Sequence, residues 1–174
     1  FTHRDQWAWC EVGWGNKWVT DPNCNNEHTW NCAFRLVFKL KNNIKLRFHT
    51  TAVQRYHLYL DGEKIAFGPD RGDDGNWFYQ TFDEKLSPGK HTIVAFVSDA
   101  IGSGYEHNGH LGDSPAFMLH AEDDLEDLLD TGKAKWEVLT ITDIKSNPAF
   151  GLGYFHCVGA RTAFHASEQT TYFA

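Results

Sequence analysis

The sequence predicts an all-β protein, an antiparallel β-sandwich of jelly-roll type formed by a single domain. Short apolar or alternating segments recur about every ten residues, and turn residues separate them. No segment has the length and period of a long amphipathic helix. With 174 residues, of which 41% are hydrophobic and 15% aromatic, the chain has enough apolar surface for one core.

The strands follow from these patterns in chain order. Residues 1–32 hold five of the seven Trp without a sustained period, which predicts a packed, loop-rich lead-in. Residues 33–41 and 44–48 then alternate between apolar and polar side chains, as strands with one buried face do. The dipeptide Asp61-Gly62 is typical of a tight hairpin turn. The remaining predicted elements are strands at 55–60, 63–67, 77–82, 91–99, 116–122, 134–141 and 154–159, a turn at Ser87-Pro88-Gly89 and a helical turn within 122–130.

Charge and composition exclude several classes of function. The formal net charge of −7 disfavours binding to a nucleic acid backbone. No apolar run reaches the roughly 18 residues of a membrane span, and charged residues within 1–20 argue against a signal peptide. The four cysteines leave three full pairings open, and none of their spacings is that of a CxxC metal site. The sequence does not indicate a cellular location.

A dense motif lies between residues 55 and 97, in four parts. Its matching residues are Tyr56, Leu58, Tyr59, Asp61 and Gly62; Gly68, Pro69, Arg71 and Asp73; Trp77, Tyr79, Thr81, Phe82 and Asp83; and Leu86, Pro88, Gly89 and Ile93. This motif resembles the N-terminal β-sandwich of bacterial α-L-rhamnosidases of glycoside hydrolase family 78. Segments 32–40 and 128–138 are similar to flanking parts of that domain. His91, in place of the usual Asn, and the reversed order of Asp130-Thr131 depart from the pattern.

The resemblance implies a galactose-binding-like sandwich and a noncatalytic role. The large α/α-barrel that carries catalysis in the family has no counterpart in these 174 residues. We therefore expect the chain to be a fragment of a larger rhamnosidase-like protein and not an enzyme by itself. Similar sandwiches include the calcium-dependent, rhamnose-binding modules of carbohydrate-binding module family 67, whereas others only buttress the catalytic barrel. The same fold therefore leaves both roles open.

The residues themselves show no catalytic constellation. The sequence contains neither a GxSxG nucleophile elbow nor a phosphate-binding loop. Carboxylates are plentiful, but sequence alone does not place two of them across one glycosidic bond, as glycoside hydrolysis requires.

Two polar loops supply the side chains that sugar recognition uses, namely aromatic rings beside carboxylates, amides and arginine. The predicted sugar-binding residues are Asp70, Arg71, Asp73, Asn76 and Trp77 in the first loop and Tyr105, Glu106 and Asn108 in the second. Structural roles remain open for three of these residues: Arg71 and Asp73 could pair with each other and stabilise their own loop, and Trp77 could belong to the core. His107 and His110 are expected to be surface residues.

Calcium is the predicted ion, because it prefers several oxygen ligands and tolerates irregular loops. Its candidate ligands are Asp70, Asp73, Asp74 and Asn76. The resulting hypothesis is an accessory module that binds an L-rhamnose-containing oligosaccharide or polysaccharide and is joined to a catalytic domain of the same polypeptide. The alternative is a purely structural domain that packs against the catalytic barrel and orients it.

Overall fold

A computed structural model describes residues 3–5, 17–24, 30–53, 55–70, 78–98, 115–142, 144–147 and 161–164. The described elements are almost all strands. In chain order they are β1 (His3–Asp5), β2 (Val19–Thr20), β3 (Asn31–Leu40), β4 (Ile44–Ala52), β5 (Arg55–Leu60), β6 (Glu63–Gly68), β7 (Tyr79–Leu86), β8 (Gly89–Ser98), β9 (Ala116–Ala121), α1 (Glu126–Leu129), β10 (Glu137–Thr140), β11 (Ile144–Asn147) and β12 (Arg161–Phe164). No helix among these residues is long and apolar enough to cross a membrane.

Ten of the strands form two five-stranded sheets. Sheet 1 has the order β1-β7-β4-β9-β2, and sheet 2 has the order β10-β3-β8-β5-β6, while β11 pairs with β12. Every pairing is antiparallel. From β3 to β10 the chain changes sheet at each step except the β5–β6 hairpin. The predicted antiparallel β-sandwich is therefore confirmed.

The core lies between the inner faces of the two sheets. Phe117 of β9, in sheet 1, packs across this interface: its ring centroid lies 6.0 Å from that of Phe34 and 6.1 Å from that of Tyr56, both in sheet 2, and 5.5 Å from that of Trp136 just before β10. The exposed fraction of Phe117 is 0%. Burial of such a ring stabilises the fold by about 1.5–3 kcal/mol, so these contacts hold the sheets face to face.

The sequence pattern located the long strands well. The hairpin of β5 and β6 turns at Asp61-Gly62, where both residues have positive φ values of 50° and 85°. The short strands β1, β2, β11 and β12 were not predicted, because two to four residues are too few to show an alternating pattern. The predicted strand at 154–159 lies outside the described residues.

A charged staple closes the end of the sandwich that contains the β5–β6 turn. His91 Nδ1 lies 2.7 Å from Asp61 Oδ2, and His91 Nε2 lies 2.8 Å from the carbonyl oxygen of Ser87. Because a carboxylate and a carbonyl can only accept, both ring nitrogens donate and the ring is an imidazolium. The hydrogen bond that His91 donates to Asp61 and, secondarily, the one that it donates to the Ser87 carbonyl raise the pKa of His91 above its usual range.

This geometry predicts a pH-dependent contribution of His91 to stability. We expect His91→Asn to destabilise the protein by about 1 kcal/mol near pH 5.5 and by less near pH 8.5. The sign follows because a raised folded-state pKa stabilises fully below the unfolded value, about 6.5, and the contribution fades as the pH rises through the folded value. Urea unfolding of the wild type and of His91→Asn, repeated across this pH range, measures the difference in the free energy of unfolding.

His57→Asn is the matched control, because burial and, secondarily, Lys64 lower the pKa of His57. Its effect should therefore change with pH in the opposite direction. Parallel stability profiles for wild type and His91→Asn would contradict the charged staple.

Candidate functional site at the loop end

Both loops that carry the sequence-predicted site connect strands at the same end of the sandwich. We call this the loop end: β4, β6 and β8 end there, and β5, β7 and β9 begin there. The register shows it directly, with the pairs Tyr56–Gly68 and Tyr56–Val97 in sheet 2 and Thr50–Gln80 and Ala52–Phe117 in sheet 1. Segments 69–78 and 99–115 therefore leave and rejoin the sheets at the same end, with β5 between β6 and β8 in sheet 2 and β4 between β7 and β9 in sheet 1.

A buried hydroxyl joins the two sheets just beneath the loop end. Tyr56, 1% exposed, extends from β5 of sheet 2 and its hydroxyl lies 2.8 Å from Thr50 Oγ1 of sheet 1. The same hydroxyl donates to Gln80 Oε1 on the neighbouring strand of sheet 1. Burial, together with the negative charge of Asp70, raises the pKa of Tyr56 well above its usual value, so the phenol stays protonated. We call these three residues the Tyr56 bridge.

The Tyr56 bridge fixes where the first loop begins. A Cβ atom on Gly68 would lie 2.5 Å from Gln80 Oε1 and 3.0 Å from Tyr56 Cε1, so only glycine fits without displacing the bridge. The returning chain is held as well, since Thr51 Oγ1 donates to the carbonyl oxygen of Phe78 at 2.7 Å. The bases of the loop therefore rest on packed strands, a suitable scaffold for a binding loop.

Asp70 is the sequence-predicted site residue that the described part of the chain contains. It follows β6 at the loop end, is half-buried, and lies near enough to Tyr56 to influence that hydroxyl electrostatically. The other predicted sugar-binding residues, Arg71, Asp73, Asn76, Trp77, Tyr105, Glu106 and Asn108, lie outside the described residues. The register does place the strands that precede and follow the loops of these residues at the same end of the sandwich.

The calcium prediction rests on four ligands, of which Asp70 is described and Asp73, Asp74 and Asn76 are not. Within the described ranges, no group of three or more His, Cys, Asp or Glu residues is arranged to hold a metal ion. The oxygen-rich composition of residues 70–76 remains the chemical basis for the prediction.

Carboxylates elsewhere on sheet 1 form structural hydrogen bonds with histidines. His49 and His120 stack on the outer face with ring centroids 6.0 Å apart. His49 Nε2 donates to Glu122 Oε1 at 2.8 Å, and His120 Nδ1 donates to the buried Asp130 Oδ2 at 3.0 Å. Asp130 also accepts the backbone N–H of Ala121 at 2.8 Å. These contacts tie the turn after α1 to β9.

A surface pocket of about 350 Å³ opens at the opposite end of sheet 1. Its lining consists of Lys45, Leu46, Arg47, Asp83, Glu84, Lys85, Glu122 and Asp123. Arg47 and Asp83 engage each other there through two hydrogen bonds of 2.7 and 2.8 Å. Since none of the lining residues is aromatic, this pocket lacks a ring on which a sugar could stack.

Solved structures similar to this chain include three α-L-rhamnosidases. The glycoside hydrolase family 78 rhamnosidase of Bacillus sp. GL1 is 24% identical with a TM-score of 0.63, and the match covers 75% of this chain and 14% of that chain. The enzyme from Aspergillus terreus is 18% identical, with a TM-score of 0.48 and coverages of 75% and 17%. The one from Dictyoglumus thermophilum is 17% identical, with a TM-score of 0.46 and coverages of 76% and 16%.

The match to the Bacillus enzyme confirms the resemblance at the level of the fold: the chain is similar to a β-sandwich portion of a family 78 rhamnosidase. It spans about one seventh of that enzyme's length, the matched share being 14%. No protein-family model matches the chain, and no curated protein matches it.

Sequence reasoning did not identify the Tyr56 bridge. Tyr56 was part of the family motif, but its polar partners Thr50 and Gln80 lie on strands of the other sheet. The sequence carries only a weak signal for this contact: Thr50 and Gln80 are polar residues, yet the alternating pattern of their strands places both on the buried face. Such a position predicts a buried hydrogen bond without naming its partner.

We expect Gly68→Ala to destabilise the protein by about 1–3 kcal/mol, because the added methyl group overlaps Gln80. Gly68 lacks a positive φ, so this cost is steric and not conformational. A double-mutant cycle with Gln80→Ala, measured by urea unfolding, tests it. The cost of Gly68→Ala should shrink in the Gln80→Ala background. Equal costs in the two backgrounds would show that Gln80 does not set the requirement for glycine.

Proposed function

We propose that this chain is a noncatalytic, carbohydrate-binding accessory module of an α-L-rhamnosidase-like glycoside hydrolase. The observation that carries the proposal is the fold match to the Bacillus rhamnosidase, with a TM-score of 0.63 over 14% of that chain. A segment of that size corresponds to one domain of a larger enzyme. The motif in residues 55–97 supports the same assignment independently of the fold.

The proposed binding site lies at the loop end. Its support is the register, which places the strands that flank segments 69–78 and 99–115 at one end of the sandwich, and the composition of these segments. Rings of Trp77 and Tyr105 would stack on the apolar face of the sugar, while Asp70, Arg71 and Asp73 hydrogen-bond its hydroxyls. The proposed ligand is an L-rhamnose-containing glycan, and the proposed ion is calcium, held by Asp70, Asp73, Asp74 and Asn76.

Binding of one monosaccharide should be weak. A single ring buries little surface, and its binding must offset the loss of rigid-body freedom. We therefore expect dissociation constants from roughly millimolar to high micromolar, which correspond to about −4 to −6 kcal/mol. Multiple sugar contacts or a neighbouring domain would be needed for tighter retention on a polymer.

A structural role is the second candidate, favoured by a different observation. Phe67 is 65% exposed and Val37 40% exposed on the outer face of sheet 2. Apolar side chains in such positions also suit a surface that packs against a neighbouring domain. Under this alternative the module orients a catalytic barrel and does not respond to sugar.

Titration with L-rhamnose distinguishes these candidates. We expect saturable changes in tryptophan fluorescence and a higher thermal midpoint in calcium, with both responses reduced in EDTA. Asp73→Asn and Tyr105→Ala should each weaken the response about tenfold, because they remove a proposed ligand and a stacking ring.

Asp123→Asn is the matched control: it removes a carboxylate from the opposite end, and Asn tolerates the φ of 60° found there. Its response should equal that of the wild type. No response at roughly tens of millimolar sugar, or release of rhamnose from a coloured rhamnoside by this chain alone, would contradict the proposal.

A further inference from the structure

The outer face of sheet 2 carries a row of apolar and aromatic side chains that crosses all five strands. The cross-strand register runs Leu139, Ala33, Phe96, His57 and Phe67. The rings of Phe96 and His57 have centroids 6.4 Å apart and tilt by 37°. Phe67, at the edge strand, is 65% exposed. We call Phe96, His57 and Phe67 the aromatic row.

The outer face of sheet 2 carries an excess of positive charge, although the whole chain has a formal net charge of −7. The charged strand residues on the outer face of sheet 2 are the cations Arg35, Lys39, Arg55, Lys64 and Lys90 and the acid Glu137, which pairs with Arg35. Arg55 lies two positions before His57 on the same strand. Lys64 is close on the other side, with Nζ 5.6 Å from the ring centroid of Phe67. Two exposed cations therefore flank the aromatic row.

The outer face of sheet 1 is different. Its strands balance cations and histidines with carboxylates, as in the pairs Arg47–Asp83 and His49–Glu122. No comparable stripe of exposed rings appears among its described residues, where Tyr79 is half-buried against His49. The combination of open rings and excess positive charge thus distinguishes sheet 2 from sheet 1.

This combination matches one ligand class, a polysaccharide with carboxylate groups. Neighbouring strands lie about 4.8 Å apart, close to the length of one sugar ring, so successive rings of a chain could follow successive strands. Aromatic faces accept the C–H-rich side of a pyranose, while Arg and Lys pair with uronate oxygens. A neutral glycan would leave the two flanking cations, Arg55 and Lys64, without a partner of opposite charge on the ligand.

We propose that the outer face of sheet 2 is a second glycan-binding surface that takes an acidic, uronate-containing polysaccharide. Its sugar rings stack on the aromatic row, and its carboxylates pair with Arg55 and Lys64. This surface lies on a sheet face and not at the loop end, so it stands independently of the proposed rhamnose site.

The protonation state of His57 agrees with this geometry. Burial and, to a smaller extent, the charge of Lys64 lower the pKa of His57 below its usual range. The ring is therefore neutral at pH 7 and can pack against an apolar sugar face without a desolvated charge.

Polygalacturonate, with EDTA present to prevent calcium cross-linking of the polymer, is the probe. In affinity electrophoresis and calorimetry we expect the wild-type chain to bind polygalacturonate and not to bind carboxyl-reduced polygalacturonate. Binding should weaken severalfold when NaCl rises from about 0.05 M to about 0.5 M, because exposed ion pairs are screened. Equal binding to the neutral polymer, or no binding to either, would overturn the proposal.

Three variants locate the binding surface. Phe67→Ala should weaken binding about fivefold through loss of stacking, and Lys64→Ala about threefold through loss of one ion pair. Lys85→Ala, an exposed lysine on sheet 1, is the matched control and should bind as the wild type does. Because Phe67 and Lys64 are exposed, the thermal midpoints of the two variants should remain close to that of the wild type.

The same variants separate this proposal from the rhamnose site. Their L-rhamnose titrations should match the wild type, and a rhamnose result of either sign leaves the polygalacturonate result unaffected. Polygalacturonate binding that survives Phe67→Ala and Lys64→Ala unchanged would place the polymer elsewhere and overturn the proposal. A shift from dimer to monomer in Phe67→Ala, seen by light scattering, would identify the face as a self-interface and also overturn it.

Discussion

The hydroxyl group of Tyr56 is the interaction on which the candidate site depends. It reaches from sheet 2 to Thr50 and Gln80 of sheet 1, in a region where its own exposed fraction is 1%. A buried hydroxyl without partners would be costly, so the two sheets are held at the separation that satisfies it. Gly68 leaves the room that this contact needs. The first loop consequently starts from a fixed position above the core.

The two ends of the sandwich are stabilised in different ways. At the loop end the buried contacts around Tyr56 hold the sheets through a phenol that burial keeps protonated. At the hairpin end, His91 is charged and pairs with Asp61. A change of pH near neutrality therefore acts on the hairpin end and leaves the Tyr56 bridge in the same protonation state.

Much of the fold could be predicted from sequence, because alternation reports directly which strand face is buried. Segments 33–41 and 55–67 gave long strands and a hairpin whose bounds agree closely with β3, β5 and β6. The candidate site was harder to predict from sequence than the strands. Composition predicts a binding role for Asp70 and its loop, which stays a prediction, and the pairing of Tyr56 with Gln80 joins residues 24 positions apart. The row of Phe96, His57 and Phe67 likewise depends on cross-strand register, which a single sequence pattern does not specify.

Amide hydrogen exchange, with and without saturating L-rhamnose and calcium, tests the central claim most directly. If the loop end is the site and the Tyr56 bridge its rigid floor, added protection should be confined to segments 69–78 and 99–115. The amides of Thr50, Tyr56 and Gln80 should be strongly protected in both states, since they belong to buried strands. Protection that appears in the strands of sheet 2 instead, or a floor that exchanges rapidly without ligand, would contradict this account.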